Sequence, residues 1–246
     1  MIPRLGPSDP MPSAETALAE PNGLVAVGGG LSVARLLDAY RRGIFPWFDD
    51  GDPVLWWSPD PRLVLPTDAV HVSRSLARRL RRRDVAVTAD IAFAAVVAAC
   101  AAPRDADGRT WITAEMRGAY EALHARGAAH SLEVWAAGAL VGGIYGVTIG
   151  RAFFGESMFS RVTDGSKIAI VYLARQLARW GVPFIDCQVT SEHLVSLGAV
   201  EVRRRDFLRR VAQLVEQPPL PSPWRLDADL PDRVAELAPP GAHTDQ

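Results

Sequence analysis

The sequence predicts an α/β protein of the α+β kind, with a small N-terminal domain followed by a larger domain on a mixed sheet. Three observations lead there. At 246 residues, 48% of them hydrophobic and 22% charged, the chain is long enough to bury a core in one or two domains. From about residue 61 onward, helix-like and strand-like hydrophobic periods alternate. Before that point, GIFPWFDDGDPVLWWSPDPRLVL mixes proline and aromatics too irregularly for a helix, which marks a joint near residue 60. The division is therefore 1–60, 61–216 and a tail over 217–246.

The elements follow in chain order. Residues 1–20 are rich in Pro, Ser and Ala without a period and read as weakly ordered. Residues 31–40 form a short helix, capped by Ser32, with Leu36, Leu37 and Tyr40 as its apolar stripe and Gly43 ending it. Arg62 to Leu65 enters a strand. Helix 73–83, strand 85–88, helix 91–101 and helix 113–126 come next, the last with Met116, Tyr120 and Leu123 on one side. Strands 131–136 and 139–149 flank an Ala-Gly turn, and 151–154 forms a third element. Residues 166–180 repeat apolar positions at helix spacing, 184–189 is a strand, and 192–197 and 207–215 are helical. PPLPSP and scattered acids after Gln217 read as extended peptide.

Composition excludes several classes. Cys100 and Cys187 cannot build a disulfide framework or a structural zinc site, which favours a reducing, cytoplasmic setting. No stretch of about 18 uninterrupted apolar residues suggests membrane insertion. The net charge of -1 argues against a uniformly basic coat, although the 27 basic residues, of which only Lys167 is a lysine, cluster locally. His71, His124, His130 and His193 lack ligand spacing, so no metal is expected. Gly28 to Gly30 has the wrong spacing for a dinucleotide fingerprint, and no phosphate-binding Gly-Lys-Ser/Thr loop occurs. No cofactor is expected.

Four stretches carry chemistry. In GVPFIDCQV, the two-residue strand period puts Asp186 and Gln188 on one face and Ile185 and Cys187 on the other. A carboxylate that orients an amine beside an amide that serves developing charge suits acyl transfer. An Asp at a strand end also ties down loops. In GRAFFGESMFS, Glu156 stands among Phe and Met, where an acid must be paired or neutralised, with Arg161 or Lys167 as structural partners or a substrate as the functional one. Ser166 is an N-cap for the next helix, whose first amides also suit an anion. On helix 73–83, Arg74, Arg78, Arg81 and Arg82 share one side opposite Val72, Leu76 and Leu80, a surface suited to phosphates or simply to water. Arg79 and Arg83 interrupt that separation and must snorkel. Trp47, Trp56, Trp57 and Trp111 sit in loop contexts and are candidates for stacking an unpaired base or for packing a domain interface.

The segments EPNGLVAVGGGLSVARLLDAYRRGIFPWF, WWSPDPRLVL, HVSRSL, TWIT, AHSLEVW, LVGGIYGV, FFGESMFS, IDCQ and HLVSLGA, in this order from about Glu20 to Phe207, closely resemble the leucyl/phenylalanyl-tRNA–protein transferase family. The resemblance implies an acyltransferase domain of the GNAT-superfamily fold behind a small N-terminal domain. It implies transfer of Leu, Phe or, less readily, Met from aminoacyl-tRNA to proteins with N-terminal Arg or Lys, within the bacterial N-degron pathway. It also implies a catalytic pair in Asp186 and Gln188. By the same resemblance Glu156, followed by Ser157, falls at the donor pocket, Trp111 with Trp47 or a neighbour in FPWF matches the wall that stacks the terminal adenosine, and the Arg74, Arg78, Arg81 and Arg82 helix matches one that approaches the tRNA body. Two positions depart from the family pattern: Asp164-Gly165 replaces Asn-Ala before Ser166-Lys167, and Ile144 stands where Met is common.

Aminolysis of an activated ester runs downhill and requires positioning and charge stabilisation. A protein α-amine, with a reference pKa near 7.7 to 8.0, is partly neutral already. The expected roles are Asp186 holding the amine through Gln188 or a water, Gln188 fixing the carbonyl region, and the vicinal ribose hydroxyl protonating the leaving oxygen. Ile144, Met158, Leu173, Leu177 and Ile185 are the expected lining of the donor slot. A monomer is expected. A transferase of the same donor onto a cell-wall precursor is the alternative; an acetyl-CoA enzyme lacks its pyrophosphate loop here, and a noncatalytic tRNA-binding module would show no transfer.

Overall fold

The structure is a computed structural model, and it describes residues 2–102 and 110–237. The N-terminal part folds around a four-stranded sheet that periodicity does not reveal, because its strands are only two to five residues long. β1 (Arg4–Leu5) runs parallel to β2 (Leu24–Gly28). After α1 (Val33–Arg41), β3 (Phe45–Pro46) and β4 (Leu55–Trp57) complete the order β1-β2-β4-β3. Ser32 caps α1 as its sequence predicts, its hydroxyl accepting from the Arg35 amide. Arg35 is buried and donates to three carbonyls, those of Gly6, Pro7 and Asp9, so the first residues are tied down rather than loose. Trp56 is buried in this sheet and its indole N–H donates to Gly28 O, which makes it a core residue.

The second part is a seven-stranded mixed sheet. In chain order come β5 (Arg62–Pro66), α2 (Arg74–Arg81), β6 (Ala86–Ala89), α3 (Phe93–Cys100), α4 (Ala114–His124), β7 (Ala129–Ala136), β8 (Ala139–Ile149) and β9 (Ala152–Ser160). Then follow α5 (Gly165–Arg179), β10 (Phe184–Gln188), α6 (Glu192–Ser196), β11 (Val200–Val202), α7 (Arg204–Leu214) and α8 (Leu230–Ala235). The strand order is β11-β5-β10-β9-β8-β7-β6. All neighbours are antiparallel except β9 and β10, which run parallel. This pair matches at only two positions, Ile185 with Phe153 and Asp186 with Phe154. Beyond them β9 continues to Ser160 on its own course, and the strands part. At the parting, a Cβ on Gly155 would stand 3.3 Å from Asp186 O, a tight contact that glycine avoids where β9 passes β10.

Two expectations about the ends of the domain need correction. The third strand runs six residues past Phe154, because GESMFS pairs with β8 through the Gly142–Ser160 register. Of the segment after Gln217, read as extended peptide, residues 218–237 cover the sheet instead, and 238–246 lie outside the described residues. Leu220, Trp224, Leu230 and Val234 are buried, α8 packs on α5, and Arg179 bridges Asp227 and Asp229 at 2.8 and 2.7 Å. Apolar residues without helical or strand spacing carry this docking. Its inner end is a clasp: the Trp224 indole stacks on His130 at 4.1 Å, and His130 Nδ1 lies 2.7 Å from Asp90. Asp90, His124 and His130 thus share one cluster, in which both His130 nitrogens and His124 Nδ1 already face oxygens of the fold, His130 Nε2 at Gly127 O and His124 Nδ1 at Ala129 O. No helix among the described residues is long and apolar enough to cross a membrane.

Candidate active site

Where β9 and β10 part, a cavity of about 270 Å³ opens between them, bordered by Gly155 to Met158 from one strand and Ile185 to Val189 from the other. Asp186 and Gln188 both border it, as the strand period predicts. Ile185 and Cys187 border it too, which simple alternation does not allow. From Cys187 onward a bulge breaks the alternation: opposite β5, Asp186 pairs with Val64 but Gln188 already pairs with Leu63, and Gln188 takes a left-handed φ of 65°. A non-glycine residue in that region is strained. Here the strain turns the strand and aims the Gln188 side chain at β9.

The two acids at this point have opposite surroundings. Asp186 is fully buried and gripped by Arg62, whose Nε donates to Oδ1 at 2.8 Å and Nη2 to Oδ2 at 2.6 Å. Arg62, on β5, is itself fully buried, with its guanidinium carbon 4.8 Å from the Phe45 ring centre and 4.6 Å from that of Phe207. A bidentate guanidinium between two aromatic faces is a rigid, charge-compensated clamp. Asp186 Oδ1 also accepts the Gln188 amide at 3.0 Å, so the same carboxylate fixes the strained residue. Glu156 is buried without a cation on its carboxylate among the described residues. Its Oε2 accepts from Tyr120 at 2.5 Å, its Oε1 accepts from Gln188 Nε2 at 3.1 Å, and the Tyr120 and Tyr40 hydroxyls lie 2.9 Å apart. Burial pushes the Glu156 carboxyl up to about 7; the Tyr120 and Tyr40 hydroxyls oppose this, Asp186 adds to it, and Arg62 pulls it down. The same burial and the Glu156 charge hold both tyrosines well above their usual range.

The remaining expected residues divide. Trp47, which is 45% exposed, and Trp111 both border the cavity, whereas Trp57 donates its indole N–H to Trp47 O and braces that ring from outside. Ser157, Ile144, Met158 and Ile185 line the cavity. Leu173 and Leu177 do not: they are buried deeper in the core, and Ile170, one turn earlier on the same stripe of α5, takes the lining position. Helical spacing gives the face but not the depth. Arg74, Arg78, Arg81 and Arg82 are exposed on or beside α2 and make no ion pair among the described residues. Arg79 and Arg83, which break the basic face, are paired with Asp84 and Asp232. Ser166 is not the cap of α5. Asp164 holds that position in the left-handed region at φ 66°, which Asn and Asp adopt more readily than other side chains, so the departure from Asn preserves the backbone.

Arg62, Tyr40 and Tyr120 are site residues that the sequence reading missed. The available signal is an arginine that opens the apolar strand Leu63-Val64-Leu65, since a cation buried there demands an acid.

Over residues 64–212 the sequence matches the family described as leucyl/phenylalanyl-tRNA protein transferase, and over residues 29–60 the N-terminal domain of that family. The protein of Thiobacillus denitrificans with this name is 57% identical over 217 residues, 88% of this chain and 95% of that one. Its namesake in Nitrosomonas europaea is 54% identical over 233 residues, 95% and 99% of the two chains. That of Methylococcus capsulatus is 54% identical over 228 residues, 92% and 97%. A solved structure of a functionally unknown conserved protein from Staphylococcus epidermidis aligns with a TM-score of 0.39 at 11% identity, over 73% of this chain and 68% of that one, too distant to carry an argument.

Proposed function

The chain belongs to the leucyl/phenylalanyl-tRNA–protein transferase family and is an aminoacyltransferase; from that premise we propose that it moves Leu or Phe, and Met less efficiently, from aminoacyl-tRNA to the α-amine of proteins that begin with Arg or Lys. This is the labelling step of the bacterial N-degron pathway. The observation that carries the reading is the parting of β9 and β10, which sets Glu156, Gln188 and the Asp186–Arg62 pair around one apolar hollow. A parallel pair that opens inside a mixed sheet also supports a GNAT-superfamily-like fold.

The donor side chain enters between Ile144, Met158, Ile170 and Ile185, with Ser157 at the rim and the adenosine held at the mouth by Trp47 and Trp111. Such a slot favours side chains unbranched at Cβ, but a methylene is worth only about 1 to 3 kcal/mol, so selectivity depends on shape. The attacking amine nitrogen bonds to the ester carbonyl carbon, the C–O bond to the ribose breaks, and an amide remains. The amine loses one proton and the departing ribose oxygen gains one.

Gln188 donates through Nε2 to Glu156, which leaves its Oε1 to orient the amine. Asp186 has both oxygens on Arg62 and one also on the Gln188 amide, so it acts as a positioning residue through Gln188. Glu156, with a carboxyl near 7 and no cation to pin it, takes the amine proton, and the vicinal ribose hydroxyl passes one to the leaving oxygen. The exposed Arg74, Arg78, Arg81 and Arg82 face the tRNA body.

The test is transfer of labelled Leu from Leu-tRNA to an Arg-initiated peptide. Label on the peptide N-terminus supports the reading. Label only on a cell-wall precursor, or binding of Leu-tRNA without any transfer, overturns it.

A further inference from the structure

Beside the reaction cavity lies a second hollow of about 530 Å³, walled by Ser160, Arg161, Ser166, Ser191 and His193 with Ala99, Ala102 and Phe159. The two adjoin, since Met158 and Ser191 border both. Among the described residues, no carboxylate borders the second one. Its polar groups are hydroxyls, a guanidinium and an imidazole, a donor-rich set. Arg161 is held at the rim by Nη1 donating to Leu140 O at 3.1 Å and by its stacking over Phe159, 5.5 Å from the ring centre. His193 Nε2 is buried and has no hydrogen-bond partner among the described residues, an arrangement that costs free energy unless something fills it. Burial, and then the nearby Lys167, hold that imidazole below its usual range, so Nε2 belongs to a neutral ring. Lys167 is itself only loosely engaged, 3.5 Å from Asp164 and 35% exposed. The floor is rigid: α5 starts so close to β8 that a Cβ on Gly165 would stand 2.9 Å from Val141 O and from Ser160 Oγ.

We propose that this hollow binds the phosphodiester joining the donor's terminal adenosine to the nucleotide before it. The inference rests on the aminoacyl-tRNA reading given above and deepens it. With the aminoacyl group between β9 and β10 and the adenosine at the mouth, the first fixed negative charge of the tRNA lies one ribose away; the adjoining hollow supplies Arg161 and His193 to meet it, and Lys167, outside the lining but close enough to act on His193, adds its charge. The basic face of α2 is a separate surface for the body of the tRNA. Arg161, Lys167 and His193 instead fix the position of the 3′ end.

Three donors separate the outcomes: leucyl-adenosine, which has no phosphodiester, leucyl-cytidylyl-adenosine, which has one, and Leu-tRNA, each assayed with an Arg-initiated peptide. In the wild-type protein the dinucleotide donor should show a KM about tenfold below that of the nucleoside donor, with an advantage that shrinks as salt is raised. Arg161→Ala, Lys167→Met and His193→Ala should each remove most of that advantage and leave kcat and KM for leucyl-adenosine within about twofold of wild type. Circular dichroism of each variant checks its fold. Variants that alter both small donors equally, or a wild-type protein that gains nothing from the phosphodiester, would overturn the proposal. Absence of transfer from every donor would instead overturn the aminoacyl-transfer reading beneath it, and this proposal with it.

Discussion

Asp186 and Glu156 are two buried acids on neighbouring strands at the same opening, yet they are built for opposite tasks. Asp186 meets a guanidinium on both oxygens, with aromatic rings on either side of that guanidinium; Glu156 meets two neutral donors, a phenol and an amide. Desolvation acts on both. Where a fixed cation compensates it, the result is a rigid strut, and where only dipoles answer it, the proton's affinity for the site rises towards neutrality. Burial alone does not tell a structural acid from a reactive one; the partner does.

Four experiments bear on that contrast, from the largest effect to the smallest. Glu156→Gln keeps the shape, can still accept from Gln188 through its oxygen and can donate through its NH2 to the Tyr120 hydroxyl, but cannot accept a proton, so single-turnover transfer should fall by roughly 10²- to 10⁴-fold while aminoacyl-tRNA affinity, read by filter binding, stays within a few fold. Retention of the full rate would make Glu156 another strut. Arg62→Met leaves Asp186 buried and uncompensated and should cost about 3 to 5 kcal/mol in urea unfolding. Adding Asp186→Leu should recover most of that stability and none of the transfer, because Gln188 is then no longer held.

The third experiment uses pH. The Glu156 carboxyl rises from 4.5 to about 7 on folding, so its contribution to stability is complete below about 4.5, is lost as pH rises through 7, and stays constant above that. Its full size is of order 3 kcal/mol at 1.36 kcal/mol per unit. Unfolding measured from pH 4 to 8 should show this decline in the wild-type protein and not in Glu156→Gln. Smallest of the four is the backbone at Gln188. Both Gln188→Ala and Gln188→Gly should be inactive, but the glycine variant should be more stable by about 1 kcal/mol, because only glycine occupies φ 65° without strain. Equal stabilities would mean that the bulge stores no strain.

Much of this opening is legible in the sequence, for identifiable reasons. Asp186 and Gln188 stand two apart in an apolar strand, and Glu156 is a lone acid among Phe and Met; local pattern reports both. Arg62 lies 124 positions from Asp186, in a stretch dominated by proline and tryptophan, and no local period links the two. Tyr40 and Tyr120 look like members of apolar helix stripes, and their hydroxyls become visible only when α1 and α4 meet over β9. Leu173, Leu177 and Ile170 share one stripe, and only the tertiary packing decides which of them reaches the hollow. The N-terminal sheet escapes notice because strands of two and three residues carry no period, and the C-terminal segment docks through Leu220 and Trp224 without regular spacing. Short-range chemistry was written in the chain; long-range pairing was not.

Carbon-13 NMR of glutamate carboxyls, titrated in the intact protein and compared with Glu156→Gln, shows which acid at this opening exchanges a proton near neutrality. One carboxyl resonance should move with a midpoint at about 7 and vanish from the variant's spectrum. A spectrum in which every glutamate titrates near 4.5, with nothing missing above pH 6 in the variant, would contradict the assignment of Glu156 as the proton acceptor.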